Sequence, residues 1–474
     1  MSRARFRVRV SALLPVLVLV LVLIVMTLGC GSSGARASDG SVTLNVALRG
    51  AHYRLPNGLE VMLHPDRTFR NVAVNVRYHV GGKDDPPKLS GLAHLYEHLM
   101  FLGSKHIPPG GFSKALDDAA VLSYNAFTSQ DETEYYEVMP SSQVPIALWL
   151  EADRMHYPID RVDEDAFRRE RDVVKNEWRE RYDNKPYGHV QGIVHGAIFP
   201  ESHPYHRLPI GRVEDLDRAS LAEARAFATR YYVPSNATLV VVGDFDLAEV
   251  KPIVDTLFSP IPGGTPPAVR AFEPVRLDKD RRVEVEADVD SPLVMVAWPI
   301  PPPSARGWYE MHFAASRIAG MTSYKLEVEK KTSRHVGWNI IPGRLGSILQ
   351  IEVQLEPKES INEAVDAIDA RVKWTAKMER ERGYDWPELP HARTLRMTSS
   401  VLALGNIIDR ASRIEEYLEY FGDADSAQSE LRRIQAVTAL ETAIATEELL
   451  MDQGRVVVAV TPRRGAPRSG RVVR

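Results

Sequence analysis

The chain runs to 474 residues, 44% hydrophobic and 26% charged, which describes a folded globular protein too long for one ordinary domain. Two domains of about 200 residues are the expected organisation. The net charge of −4, with no long basic run between the termini, excludes a broad surface for a phosphate backbone, so nucleic acid is not an expected partner.

At the N-terminus Arg3, Arg5, Arg7 and Arg9 precede an uncharged stretch from Val10 to Cys30 dominated by alternating Leu and Val. Positive charge followed by an apolar run reads as an export signal. The run is also close to the roughly 20 residues that cross a hydrocarbon core, so a spanning anchor is an alternative. Cys30, the single cysteine, closes the run in Thr27-Leu28-Gly29-Cys30 and is followed by Gly31, Ser32 and Ser33. That arrangement resembles a bacterial lipoprotein processing site, at which Cys30 is lipidated, although Thr27 stands where a larger aliphatic residue is usual. Lipidation, cleavage elsewhere and a spanning anchor each place the body of the chain outside the cytoplasm, on the periplasmic or cell-envelope side. Lipidated or lost, Cys30 leaves no cysteine for a disulfide, and the fold must stand on its core alone.

Residues 1–30 are therefore assigned to a signal or anchor and 31–46, rich in Gly and Ser, to a flexible tether. Strand-like alternation appears in Gly58–Leu63 and Val72–Tyr78, and a helical segment runs from about Leu89 to Leu102. The Pro- and Gly-rich stretch from Pro260 sustains neither helix nor ladder, so 260–270 reads as a linker between domains at 47–259 and 271–465. Strands over Arg282–Val289 and Leu293–Trp298 and a helix over Tyr309–Ala319 follow it. Residues 466–474 close the chain as a basic tail, expected to be disordered. A weak internal repeat links the halves. Ser220-Leu221-Ala222-Glu223 opens a helix that leads into the strand Ala237–Gly243, and Thr438-Ala439-Leu440-Glu441 leads into Arg455–Val460 in the same way.

The strongest chemical signal is Gly91-Leu92-Ala93-His94-Leu95-Tyr96-Glu97-His98-Leu99-Met100-Phe101. On a helix His94 and His98 stand one turn apart on one face, so both imidazoles reach a common ion, with Glu97 at the edge of that face. This is the inverted pattern His-x-x-Glu-His. Flanking Leu92, Leu95, Leu99, Met100 and Phe101 bury the triplet, and buried imidazoles beside a carboxylate at that spacing call for a cation. A catalytic metal needs a third protein ligand and an open position. The charged helical stretch from Glu164 to Glu180 offers Glu170 and Glu177, seven residues apart and hence two turns along one face. Two imidazoles and a carboxylate suit zinc and also accept cobalt or manganese.

These features, with Asn125-Ala126-Phe127-Thr128, the Glu170–Glu177 helix, Pro204-Tyr205, Ile210-Gly211 and Tyr231-Tyr232-Val233-Pro234-Ser235-Asn236, make the chain from about Tyr53 to Thr461 resemble the pitrilysin/insulinase family of metallopeptidases. The resemblance implies an α+β fold of two similar domains, each an antiparallel-rich sheet packed with helices. It implies one Zn2+ per chain on His94, His98 and Glu177, Glu170 as a supporting carboxylate and Glu97 as general base. It further implies that Asn125, Ala126, Phe127 and Thr128 form an edge strand along which an extended peptide substrate pairs. In related enzymes the second half of the active unit supplies an Arg and a Tyr to the substrate carbonyl. Here the matching positions fall on Tyr324 or Lys325 and on Gly337 or Trp338. Either a homologous partner subunit supplies that pair, or a shifted alignment brings in Arg334 and Tyr324; the family's active unit has four such domains and this chain two, so a partner subunit or a homodimer is implied either way. A non-catalytic, substrate-holding subunit is the alternative reading, although such subunits usually lose the zinc residues. His189, His195, His203 and His206 fit no common helical face with a carboxylate and read as packing or surface histidines.

Overall fold

The computed structural model describes residues 46–265, 267–268, 272–382 and 386–473. The export signal, the tether up to Asn45 and Cys30 lie outside the described residues. Among the described residues no helix is long and apolar enough to cross a membrane.

Strands β1 (Ala51–Arg54), β2 (Glu60–Pro65), β3 (Asn71–Tyr78), β4 (Ser123–Thr128), β5 (Thr133–Pro140) and β6 (Ala237–Gly243) form one sheet in the order β1-β2-β6-β3-β5-β4. Strands β7 (Arg281–Ala287), β8 (Leu293–Ile300), β9 (Ser333–Ile341), β10 (Ser347–Leu355), β11 (Val456–Pro462) and β12 (Arg471–Val472) form a second, ordered β12-β7-β11-β8-β10-β9. The two orders superpose position for position. In each sheet one central pair is parallel, β2 with β6 and β7 with β11, and the other pairs are antiparallel. The protein is thus α+β, with two similar domains of antiparallel-rich sheet packed by helices, as expected from the sequence.

The internal repeat has a physical counterpart. Ser220 Oγ accepts from the Glu223 amide at 3.3 Å while the Glu223 carboxylate accepts from the Ser220 amide at 2.8 Å, and Thr438 and Glu441 make the same reciprocal pair at 3.1 and 3.0 Å. Each box satisfies two amides that a helix start leaves unpaired. Each capped helix, Leu221–Tyr231 or Ala439–Thr446, then leads to the central strand of its own sheet, β6 or β11.

Alternation along the strands separates two cores in each half. On the first sheet Val61, Leu63, Val72, Val74, Val76, Tyr78, Leu239 and Val241 face a cluster with the helices of the first half. Met62, Val240 and Val242 point the other way, onto Ala411, Ile414, Tyr417 and Leu418 of the helix Ile407–Phe421. The second sheet is covered reciprocally. Val294, Val296, Trp298 and Ile300 pack on its own helices, whereas Leu293, Met295 and Ala297 meet Val190, Val194 and Ile198 of a helix from the first half. Each half lends a helix to the outer face of the other's sheet, so the halves are interlocked.

The basic tail departs from expectation. Arg471 and Val472 pair with Glu286 and Val285 of β7, and the His189 ring donates to the Gly470 carbonyl at 3.0 Å. Ser469 is fully buried. An ordered edge strand forms because β7 would otherwise present unpaired backbone groups, which the tail satisfies as β1 does for β2. Counting arginines could not show this, since the pairing uses backbone, and the Arg471 side chain finds Glu286 at 3.1 Å.

Candidate metal centre

The inverted motif lies on the helix Leu92–Leu99. Its start is held by Asp85, whose carboxylate accepts from the amides of Gly91 at 2.6 Å and Ala93 at 2.8 Å. Gly91 has φ +93°, and a Cβ there would lie 2.4 Å from the Ile210 carbonyl oxygen. Gly211 meets Ser90 just as closely, so the Ile210-Gly211 element serves as a backbone rest that fixes the angle of this helix. Behind the helix Tyr96 packs on Tyr232 at 4.1 Å between ring centres, and Tyr232 packs on Tyr78 at 4.6 Å. The Tyr231-Tyr232 element is therefore core support.

Glu170 and Glu177 lie on the helix Glu164–Trp178, which Asp163 caps by accepting from the Ala166 amide at 2.7 Å. The helix continues as a wider π turn over Arg179–Asp183. The two helices bring the side chains together. Glu177 carboxylate oxygens lie 3.7 Å from His94 Nε2 and 3.3 Å from His98 Nε2. His98 Nδ1 donates to Glu170 at 2.9 Å. Glu97 also stands at the rings, since one nitrogen of each imidazole and one Glu97 oxygen lie within 4.8 Å of one another. Its carboxylate accepts from the Thr128 hydroxyl at 2.5 Å, which ties the helix to β4.

The charges at these groups are strongly redistributed. Burial pushes His94 down to about 4, and the nearby His98 adds to this. For His98 burial acts in the same direction but is outweighed by the hydrogen bonds to Glu170 and Glu177, which push the ring up to about 9. Burial would raise Glu177, yet the His98 bond, the His94 ring and Arg181 hold it below the ordinary carboxylate range. Glu97 is raised, mainly by burial and against the Thr128 bond. The two carboxylates that flank His98 favour positive charge at this point, as a divalent cation would supply it.

All four residues of Asn125–Thr128 lie on β4, the outer strand of the first sheet, which is paired on one side to β5. They line a cleft of about 590 Å³ together with His94, Glu97, His98, Glu170 and Glu177. Every residue lining it falls between His94 and Ile210. Tyr324 is largely exposed and Arg334 pairs with Glu356 at 3.0 Å, so neither lines the cleft. Arg181, which the sequence did not single out, reaches Glu177 at 2.8 Å from one turn further along. Its i,i+4 spacing from Glu177 was the available signal. Of His189, His195, His203 and His206, His195 bonds the Tyr205 carbonyl at 3.0 Å, His206 the Phe199 carbonyl at 2.8 Å, His203 stacks on Phe199, and the part-exposed His189 bonds the Gly470 carbonyl, so all four are packing or surface groups.

Known proteins share both the family and the fold. The model of the insulinase peptidase family M16 matches residues 60–207, and that of the peptidase M16 inactive domain matches 218–379. The zinc protease PqqE of Helicobacter pylori is 34% identical over 217 residues, which is 44% of this chain and 48% of that protein, so the match spans about half the relative's length. The mitochondrial-processing peptidase subunit beta of Blastocladiella emersonii is 24% identical over 88% of this chain and 90% of its own. A crystal structure of a protease from Helicobacter pylori shares the fold, with a TM-score of 0.79 and 23% identity over 88% of this chain and all of that one. With an inverted histidine motif inside the first matched region and two sheets of one topology spanning both, the chain belongs to the pitrilysin/insulinase family of peptidases, family M16.

Proposed function

We propose that this chain is a zinc-dependent endopeptidase of unstructured peptides, with His94, His98 and Glu177 holding one zinc ion and Glu97 acting as general base. The carrying observation is the approach of Glu177 to both Nε2 atoms at 3.7 and 3.3 Å. Two donors each about 2.0–2.1 Å from a tetrahedral zinc lie about 3.3–3.4 Å apart, so the donor set fits with little rearrangement. Bound zinc would supply a Lewis acid that polarises a peptide carbonyl and acidifies water. The chain's own groups handle the proton. Glu97, oriented by the Thr128 hydroxyl, takes it from the attacking water and returns it to the departing amine. Glu170 fixes the His98 tautomer by accepting at Nδ1, leaving Nε2 for the metal. The free side of β4 takes the substrate as an added strand, which selects extended peptides over folded proteins.

A homologous partner subunit or a second copy of this chain is part of this reading. Support for either comes from the cleft, whose lining is confined to the first half, and the missing Arg and Tyr favour the homologous subunit over a second copy. One relative is itself named as a subunit. The N-terminal segment supports an exported, membrane-tethered protein.

The test is metal content and hydrolysis of a quenched peptide, measured together on wild type and Glu177→Ala. Wild type is expected to carry about one zinc per chain, and the variant to lose both metal and turnover. Full zinc and full turnover in Glu177→Ala would remove it as a ligand, and a metal-free wild type would remove the peptidase reading. Glu170→Gln is expected to weaken zinc binding about 10- to 100-fold, read by competition with a chelator. Unchanged affinity would leave Glu170 without a part in the site.

A further inference from the structure

The second half has a cleft of its own in the position equivalent to the metal cleft. Strand β8 stands in its sheet where β3 stands in the first, and each is followed by a helix, Trp308–Ser323 or Leu92–Leu99. The outer strands β9 and β4 are likewise equivalent. A cavity of about 580 Å³ opens beside the helix Trp308–Ser323, lined by His312 on that helix and Trp338 on β9. Trp374, Trp386, Leu395 and Arg396 are among its other walls. No pair of metal-spaced histidines remains on this helix. Aromatic surface and cationic groups have taken their place.

Two of the polar groups lack partners. Arg396 makes no hydrogen bond or ion pair with any described residue, and its Nε is shielded from solvent. Burial lowers its pKa, and the attraction of Glu430 does not make up for it. The Arg317 guanidinium, by contrast, is held between Trp386 and Trp374 at 4.2 and 4.6 Å. Both ring nitrogens of His312 are shielded and unbonded, while Trp308 and Trp338 meet the ring at 5.0 and 6.0 Å between centres. Burial, with the charges of Arg396 and Arg413, pushes this imidazole down to about 3, so it is neutral and has one N–H to give. Glu388 also lines the cavity and would repel a dianion more strongly than a monoanion. An unpaired guanidinium and indole walls suit a planar carboxylate on an aromatic or long apolar body.

On the reading of this chain as a peptidase, we infer that this cavity is a peptide-binding subsite for a residue pair or chain end that joins a carboxylate to an aromatic side chain, with Arg396 receiving the carboxylate. The carboxylate comes either from a free C-terminus or from an acidic side chain beside the aromatic one. Three of the seven tryptophans line the cavity, so their emission reports occupancy.

The experiment uses the full chain carrying Glu97→Gln, so that no peptide is cut, titrated with acetyl-Gly-Gly-Phe as free acid, with its C-terminal amide, and with acetyl-Gly-Asp-Phe amide. At least one acid is expected to change tryptophan emission at concentrations about tenfold or more below the neutral amide, and the acid that does so identifies the source. Arg396→Gln should bring acid and neutral amide together, and Arg396→Lys should restore part of the preference. Equal binding of acids and neutral amide, binding of neither acid, or a preference that survives Arg396→Gln would each overturn the subsite. Zinc content and hydrolysis by wild type are scored separately, so failure here is distinguishable from failure of the metal centre.

Discussion

Glu97→Gln is expected to keep its metal and lose peptide hydrolysis, with turnover falling about 10²- to 10⁴-fold. The amide matches the carboxylate in shape and still accepts from the Thr128 hydroxyl, which in the parent lies at 2.5 Å. It has no basic oxygen with which to take a proton from water. The metal donors, two imidazoles and a carboxylate from another helix, are untouched. Zinc analysis and a quenched-peptide assay on the same preparation separate the two properties. Undiminished turnover would exclude Glu97 as the base, and loss of zinc would recast it as a ligand, which its place within 4.8 Å of both rings makes a real alternative. Glu97→Asp sharpens the reading. It retains a base but withdraws it by one methylene from a site anchored to β4, so intermediate activity is expected if position matters as well as basicity.

What could be read from residues alone follows from how local each feature is. His94, Glu97 and His98 lie within two turns of one helix, so spacing alone places them on a shared face. The capped helices at Ser220 and Thr438 are equally local, because the box closes within four residues. Glu177 is different. Charge and periodicity could not separate it from Glu170 or from a solvated acid, and only the family resemblance chose between them. The Thr128 hydroxyl on Glu97 and Arg181 on Glu177 are contacts between or along elements whose relative placement the sequence does not state. The interlock was hidden for a related reason. Strands β6 and β8 are buried on both faces and read as apolar runs, and such runs do not say which helices cover them. A linker composition at 260–270 suggested two self-sufficient halves, yet Val190–Ile198 and Ile407–Phe421 each cross to the other sheet.

One side of that interlock is built around a buried guanidinium. Arg77, on the outward face of β3, is 1% exposed and meets Glu134 at 2.6 Å, Glu415 at 3.1 Å, Glu132 at 3.2 Å and Glu419 at 3.4 Å. Two of these acids belong to the first sheet region and two to the helix Ile407–Phe421. Arg77→Met is expected to destabilise the protein by about 3–5 kcal/mol at neutral pH, because it leaves buried carboxylates facing one another without their shared cation. Arg344, which bonds Glu419 at 2.8 Å, neutralises only part of the excess. The sign of the pH dependence follows. Burial raises Glu132 and Glu415 above the ordinary glutamate value even with Arg77 opposing it. Between the unfolded and folded values the native state therefore holds more protons, so stability falls as pH rises through that window. Removing Arg77 raises these carboxyls further, so the variant's deficit should be largest at neutral pH and shrink at a lower, acidic pH as they take up protons. Denaturant midpoints at the two pH values, with hydrogen exchange over 407–421, measure both the cost and its location. Glu132→Gln is the matched control: it relieves the acid surplus, so it should cost far less than Arg77→Met. Equal midpoints for wild type and Arg77→Met at neutral pH would mean that apolar packing of Ile414 and Leu418, and not this charge cluster, holds the helix on the sheet.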